Sequence, residues 1–339
     1  AQEALEYNKT HDDPALWSNS MFGGMPVYQT ILVPKGNLLR YIQEIPQALG
    51  KSPVNVFFGI MLFSYLGLLL FGLSPYVAAL GSVVLAFSSG NILLLEAGHM
   101  TKLMVIAYAA ITLAGVWMSY RGKLWLGIPL FAFGFGMQIM NNHVQMSYYL
   151  MMAMAPVFVI FLTETIKTQN WKSFILANLL LAGAALLGLT ASSTTLLTTR
   201  EYVGQTMRGG SVLSTSNTGN EANKSGLEWD YATQWSNGWL DLAASIIPGV
   251  SGGSSGEKVK GNSALKDELR KQRIPVQGNM RVPTYWGELP FTGGPFYFGI
   301  VIIFFFILGL YLVQDSIKWW FGISTLLLCL LSLGKHFEI

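Results

Sequence analysis

The turn Glu96-Ala97-Gly98-His99-Met100-Thr101-Lys102 carries a carboxylate, an imidazole and an ammonium in one short stretch. A carboxylate or neutral imidazole takes up a proton and an ammonium steadies a departing anion, so the residue types fit group transfer. A second stretch, Asn141-Asn142-His143-Val144-Gln145, adds three amides and another imidazole between the apolar runs 124–140 and 146–162. Polar groups left unpaired at a hydrocarbon boundary are costly, so these must face water, protein or a ligand. A third set follows the sixth apolar run: Thr194, Thr195, Thr198, Thr199, Arg200, Glu201 and Arg208. Glu96, His99, His143 and Glu201 are the candidates for acid–base work. Lys102, Asn142, Gln145, Arg200 and Arg208 are the candidates for binding substrate or an anionic group such as a lipid phosphate. Each has a plainer reading: a histidine at a helix end serves as a cap, and Glu201 beside Arg200 forms an exposed ion pair contributing about 0 to 1 kcal/mol.

The elements that position these residues are membrane spans. The chain of 339 residues is 52% hydrophobic and only 12% charged, the composition of an all-α polytopic membrane protein. Apolar stretches of the length a bilayer demands are expected at 54–73, 75–95, 102–120, 124–140, 145–163, 171–190, 296–314 and 317–334, about eight transmembrane helices. Within the second, Ser88-Ser89-Gly90-Asn91 marks either a broken helix or a continuous one packed closely through small residues. Arg121 and Lys123, Lys167 and Lys172, and Lys318 fall in alternate connections, which places those on the cytoplasmic side. The opposite face receives 1–53, the two polar turns and the long loop 191–295, all candidate functional groups included. Lys102 is the one short-loop cation against that rule.

Five regions are expected: an external loop 1–53, a six-helix region 54–190, a long external loop 191–295, two further helices 296–334, and the start of an external segment at 335–339. Stretch 38–49 mixes Leu, Tyr and Ile with Arg40 and Glu44, as an interfacial or ordinary surface helix would. In the long loop, 211–225 is low-complexity Ser, Thr, Asn and Gly and 248–261 is Gly/Ser-rich, compositions expected of mobile segments. Between them Trp229, Tyr231, Trp235 and Trp239 alternate with Asp, Gln and Asn, which suits stacking on sugar rings, a headgroup belt or a small loop core.

A net charge of +3 with scattered Lys and Arg gives no nucleic-acid footprint. Cys329 is the sole cysteine, which excludes an internal disulfide and a thiolate metal cage. No Walker-type loop, HExxH or GxSxG is present, so ATP hydrolysis, zinc proteolysis and serine-hydrolase chemistry have no support. A lipid or lipid-linked-sugar transporter is the runner-up, weakened by span interiors nearly free of charge and by the lack of a repeat. A non-catalytic scaffold that binds a membrane-protein partner or an envelope polymer through its loops is the third reading.

Longer motifs narrow the choice. The strings Trp17-Ser18-Asn19-Ser20-Met21-Phe22-Gly23-Gly24-Met25-Pro26-Val27-Tyr28-Gln29, Gly98-His99-Met100-Thr101-Lys102 and Asn142-His143-Val144-Gln145-Met146-Ser147-Tyr148-Tyr149 resemble the YfhO family of bacterial membrane proteins, in its Bacteroidetes-type form. The similarity continues through Arg200-Glu201-Tyr202 and Arg208-Gly209 to Leu331-Ser332-Leu333-Gly334-Lys335-His336-Phe337, so it covers essentially the whole chain. The resemblance implies a GT-C-like glycosyltransferase of the inner membrane, which takes sugar from a polyprenyl-phosphate carrier and passes it with inversion to an envelope acceptor on the periplasmic side. It also implies a general base or metal ligand just after a first span, which is expected upstream of Ala1, in a longer protein; Asp12 and Asp13 do not match that position. On this reading Lys102, His99, His143 and Arg208 surround the carrier phosphate, with Glu96 or Glu201 as the fallback acid. A divalent metal is compatible with the reaction, though no carboxylate cluster in the chain demands one.

Overall fold

The computed structural model describes residues 2–19, 23–29, 36–206, 227–258, 263–275 and 280–337. The protein is mostly helical, at 68%. In chain order the helices are α1 (Gln2–Thr10), α2 (Leu39–Glu44), α3 (Val54–Leu70), α4 (Pro75–Ala86), α5 (Ser89–Glu96), α6 (Met100–Tyr120), α7 (Leu124–Met140), α8 (Val144–Thr168), α9 (Trp171–Thr190), α10 (Ser193–Val203), α11 (Trp229–Ala232), α12 (Trp239–Ala244), α13 (Ala264–Lys271), α14 (Ile300–Leu312) and α15 (Ile317–Ser332). Among the described residues, strand is confined to two short antiparallel pairs, β1 (Trp17–Ser18) with β2 (Met25–Pro26) and β3 (Glu257–Lys258) with β4 (Arg281–Val282).

Every expected span is helical. Among the described residues, four stretches are long and apolar enough to cross a membrane: Pro75–Glu96, which is α4 and α5 together, Met100–Tyr120, Val144–Thr168 and Trp171–Thr190. The remaining apolar helices α3, α7, α14 and α15 run for 17, 17, 13 and 16 residues, shorter than the ~20 a bilayer asks of a straight span.

The chain forms two compact units. The first comprises Ala1–Ser82, Met104–Tyr148 and Thr165–Glu228. Its helices approach through glycine and small polar residues, as helices do where apolar burial gives no preference for partner over lipid. A Cβ placed on Gly127 would lie 2.5 Å from Ser119 Oγ, 2.6 Å from Ser119 N and 2.7 Å from Gly115 O, and one on Gly134 would lie 2.5 Å from Thr112 Oγ1. These contacts join α6 to α7 backbone to backbone. Gly67 does the same for α3, where a Cβ would lie 2.6 Å from the carbonyl carbon of Ala110. Between α7 and α9 the close pair is Gly136 and Gly188.

Replacing Gly127 by alanine is therefore expected to destabilise the unit by about 1–3 kcal/mol, because the obstructing atoms are main chain and cannot swing aside. Gly183 of α9 has no atom within 4 Å of a built Cβ, so G183A is the matched control. Thermal unfolding in detergent should show a lowered midpoint for G127A alone.

The expected helix at 38–49 is shorter than its sequence allows. Pro46, which lacks an amide donor, follows the end of α2, and Pro46–Leu49 continues as a 3-10 turn. Leu38, Tyr41, Ile45 and Leu49 are exposed along this stretch, while Gln43 turns inward and donates to Asn141 Oδ1 at 2.8 Å.

The second unit comprises Val83–Leu103, Tyr149–Glu164 and Trp229–Ile339. Here the apolar stretch at 75–95 is broken. Ser88 adopts an extended conformation (φ −59, ψ 146), which separates α4 from α5. The Asn91 amide donates to the carbonyl of Leu85 at 2.7 Å and so satisfies a group the break sets free. Ser89 Oγ donates to Tyr297 O at 2.7 Å and accepts from Tyr297 N at 2.9 Å, and the Phe296 ring fills the space where a Gly90 side chain would be. The small polar residues thus serve a break held by the segment before α14.

Two further joints shape this unit. Buried Trp320 donates from Nε1, and Ser324 from Oγ, to Ala153 O, each at 2.7 Å, close to Pro156, which interrupts the α8 ladder. Buried Asp241 accepts from Tyr285 Oη at 2.6 Å and from the backbone amides of Gly238 and Glu288 at 3.0 Å each. Burial, with the Asp241 hydrogen bond next, pushes the Tyr285 phenol well above its ordinary range, so this clasp keeps its proton.

The expectation of a mobile segment at 248–261 is corrected over its described part. Residues 248–258 form a turn with Gly252 paired to Tyr285, the Trp286 indole donating to Val250 O at 3.0 Å, and the strand β3. Backbone pairing with a segment some thirty residues later is what the local Gly/Ser composition does not reveal. The stretch 211–225 lies outside the described residues.

Candidate functional site

The two polar turns are built alike. At the end of α5, Gly98 takes φ +75, and the His99 amide donates back to Leu94 O at 2.8 Å. At the end of α7, Asn142 takes φ +53, with its amide on Ile139 O at 2.9 Å. Glycine and asparagine are the residues that enter this left-handed conformation at least cost, so each ends its helix sharply. The next residue is a histidine in both cases, and it opens the following helix. The His99 carbonyl accepts from Leu103 N at 3.4 Å and the His143 carbonyl from Met146 N at 3.0 Å. His143 therefore occupies the capping position by its main chain, while its imidazole makes no capping bond to α8.

Within the second unit Glu96, His99 and Lys102 fall along one turn, and the Lys102 charge reaches the His99 ring. Glu96 is the last residue of α5 and exposed, His99 is exposed in the turn, and half-buried Lys102 lies three residues on, in the first turn of α6. The Glu96 carboxylate lies against the Gly293 backbone, where a built Cβ would be 3.4 Å from Oε2. Burial, and then the nearby Lys102 charge, hold the His99 imidazole below its usual pKa. His99 is therefore neutral at pH 7 and ready to accept a proton, while Lys102 supplies the positive charge. As pH falls, protonating His99 costs more in the folded chain than in the unfolded one, so this turn loses stability below about pH 6.5, the ordinary histidine value. With only four histidines in the chain, ring NMR can follow this titration directly. K102M is expected to move the His99 pKa upward, towards its ordinary value, and an unchanged value would show that the ammonium does not reach the imidazole.

Within the first unit, Asn142 and His143 are half-buried and Gln145 is exposed in the first turn of α8. Arg200 and Glu201 are both exposed near the end of α10. The described ion pairs, Arg40–Glu44, Asp267–Arg270 and Glu268–Lys271, do not include Arg200 with Glu201, so the simple pairing expected for them is not formed among the described residues. Arg208 lies outside the described residues.

Four polar residues outside the set of site candidates, Asn37, Gln43, Gln138 and Asn141, also lie near the C-terminal ends of α7 and α9. Asn141 is buried and receives Gln43 from α2, Asn37 donates to Ala191 O at 2.9 Å, and fully buried Gln138 donates to Thr112 Oγ1 at 3.2 Å. The signal for Gln138 and Asn141 was available, since each is an amide at helical spacing within or beside an apolar run. Nothing local marks Asn37 or Gln43.

Among the described residues, no three His, Cys, Asp or Glu side chains gather as a metal site would require. Glu96 and His99 alone do not fit a divalent cation, and no step below passes through one. No protein-family model, curated protein or solved structure matches the chain.

Proposed function

We propose that this chain acts as a membrane glycosyltransferase, moving a sugar from a polyprenyl-phosphate carrier to an envelope acceptor at the extracytoplasmic face of a bacterial inner membrane. The observation that carries the reading is the Glu96–His99–Lys102 turn, in which a carboxylate, a neutral imidazole and a cation share one junction between apolar helices. The acceptor hydroxyl attacks the anomeric carbon, the bond from that carbon to the carrier phosphate oxygen breaks, and His99 or Glu96 takes the acceptor proton. Lys102 meets the departing phosphate. On the motif similarity alone, Asn142, His143, Gln145, Arg200, Glu201 and Arg208 are the candidates for holding substrate. Eight crossings, by α3, α4 with α5, α6 to α9, α14 and α15, complete the proposal. The motif similarity to the YfhO family supports it.

The break between α4 and α5 favours a second reading, transport of a lipid-linked sugar, because transporters use interrupted helices at membrane depth. The deciding experiment is transfer of radiolabelled sugar from a panel of polyprenyl-phosphate donors by the protein in membranes. Label passed to an acceptor by the parent and lost in H99A supports transfer. Label that only changes leaflet moves the assignment to transport.

A further inference from the structure

Segment 229–247 is short of any helix long enough to make a core of its own, yet it presents large rings outward. Trp229 is 70% exposed, Trp235 51%, Trp239 59% and Ile247 57%. The Trp235 ring meets Phe291 edge to face at 4.6 Å, and Trp286 is exposed in the same unit.

The backbone fixes the height of this surface. Asn237 N donates to Ser332 O at 2.9 Å and Lys335 N to Ser236 Oγ at 3.2 Å, which ties the segment to the end of α15. Phe298 N donates to Ser245 O at 2.9 Å, which ties it to the start of α14. Helices α14 and α15 follow each other across the short connection 313–316, so both anchors lie at one end of one helical hairpin.

With α14 taken as one of the crossings proposed above, its length places that end in the lipid. The 13 residues of α14 rise only about 20 Å, against a hydrocarbon core of about 30 Å, and none of them is buried in the protein. At its far end Gln314 and Asp315 follow within three residues, so the missing apolar height has to come from the near end. What lies there is Phe296, Phe298, Ile246, Ile247 and the tryptophans. We infer that segment 229–247 is seated in the boundary between headgroups and acyl chains, and grips phospholipid through its aromatic rings. No Lys or Arg occurs from 225 to 257, so the attachment is apolar and does not require anionic headgroups.

The test uses the whole chain in phosphatidylcholine bilayers, with and without phosphatidylglycerol. In a C329S background, spin labels are placed through W235C and I247C, and through K271C on polar α13 as a water reference. Labels at 235 and 247 should collide with oxygen and be shielded from a water-soluble nickel chelate, in both lipids alike, while the label at 271 shows the reverse. Because W235C removes one ring, I247C carries the same expectation with all the rings in place. Nickel access at both sites would overturn the inference. So would poor access to both reagents, which would mean that a second copy or another part of the chain covers the surface. Oxygen access appearing only with phosphatidylglycerol would overturn its apolar character.

Discussion

Replacing Trp320 by alanine is expected to lower stability by about 3–5 kcal/mol, the upper range for a large buried ring. Trp320 is 1% exposed and is the largest fully buried side chain described. Its loss opens a cavity and also removes one of two side-chain donors from Ala153 O, near the Pro156 interruption of α8. The two effects separate. W320F keeps most of the ring and loses only the N–H, so it should cost about 0.5–1.5 kcal/mol, with Ser324 still donating to the same carbonyl. Thermal unfolding in detergent would rank parent, W320F and W320A in that order. If W320F falls as far as W320A, the hydrogen bond rather than packing holds α15 to α8.

The second large effect is on activity. K102M is expected to reduce sugar transfer by about 10²–10³-fold, the usual consequence of removing a group that stabilises charge developing in the transition state. The turn itself should survive, since its shape comes from Gly98 and from backbone hydrogen bonds rather than from the ammonium. The loss should therefore appear in kcat with little change in the unfolding midpoint. H99Q tests the other half: an amide cannot take the acceptor proton, so transfer should fall and the acid limb of the pH profile should disappear. Transfer unaffected by both changes would remove this turn from the reaction, whereas transfer lost in K102M and kept in H99Q would assign the proton to Glu96.

Much of this architecture was legible because a bilayer constrains each span separately. A run of some twenty apolar residues declares itself whatever it packs against, and all eight apolar stretches are helical. The two histidine turns were legible for a similar local reason. Polar residues stand out at the ends of such runs, and Gly98 and Asn142 carry their own left-handed preference.

What tertiary structure alone decided is where distant segments meet. The Ser88-Ser89-Gly90-Asn91 stretch was compatible with a broken or a continuous helix, and the choice rests on Phe296 and Tyr297, about two hundred residues away. Segment 248–258 has the composition of a linker and is ordered by pairing with 281–286. Gln43 looks like an ordinary surface glutamine until it reaches Asn141, and Trp320 like one more apolar residue until it meets Ala153. Hydropathy and helix endings are properties of a residue and its near neighbours, so the amino-acid sequence by itself determined the apolar helices and the turns. A hydrogen bond between residues 98 or 167 positions apart depends on how the helices pack, and that packing decided which polar groups became joints.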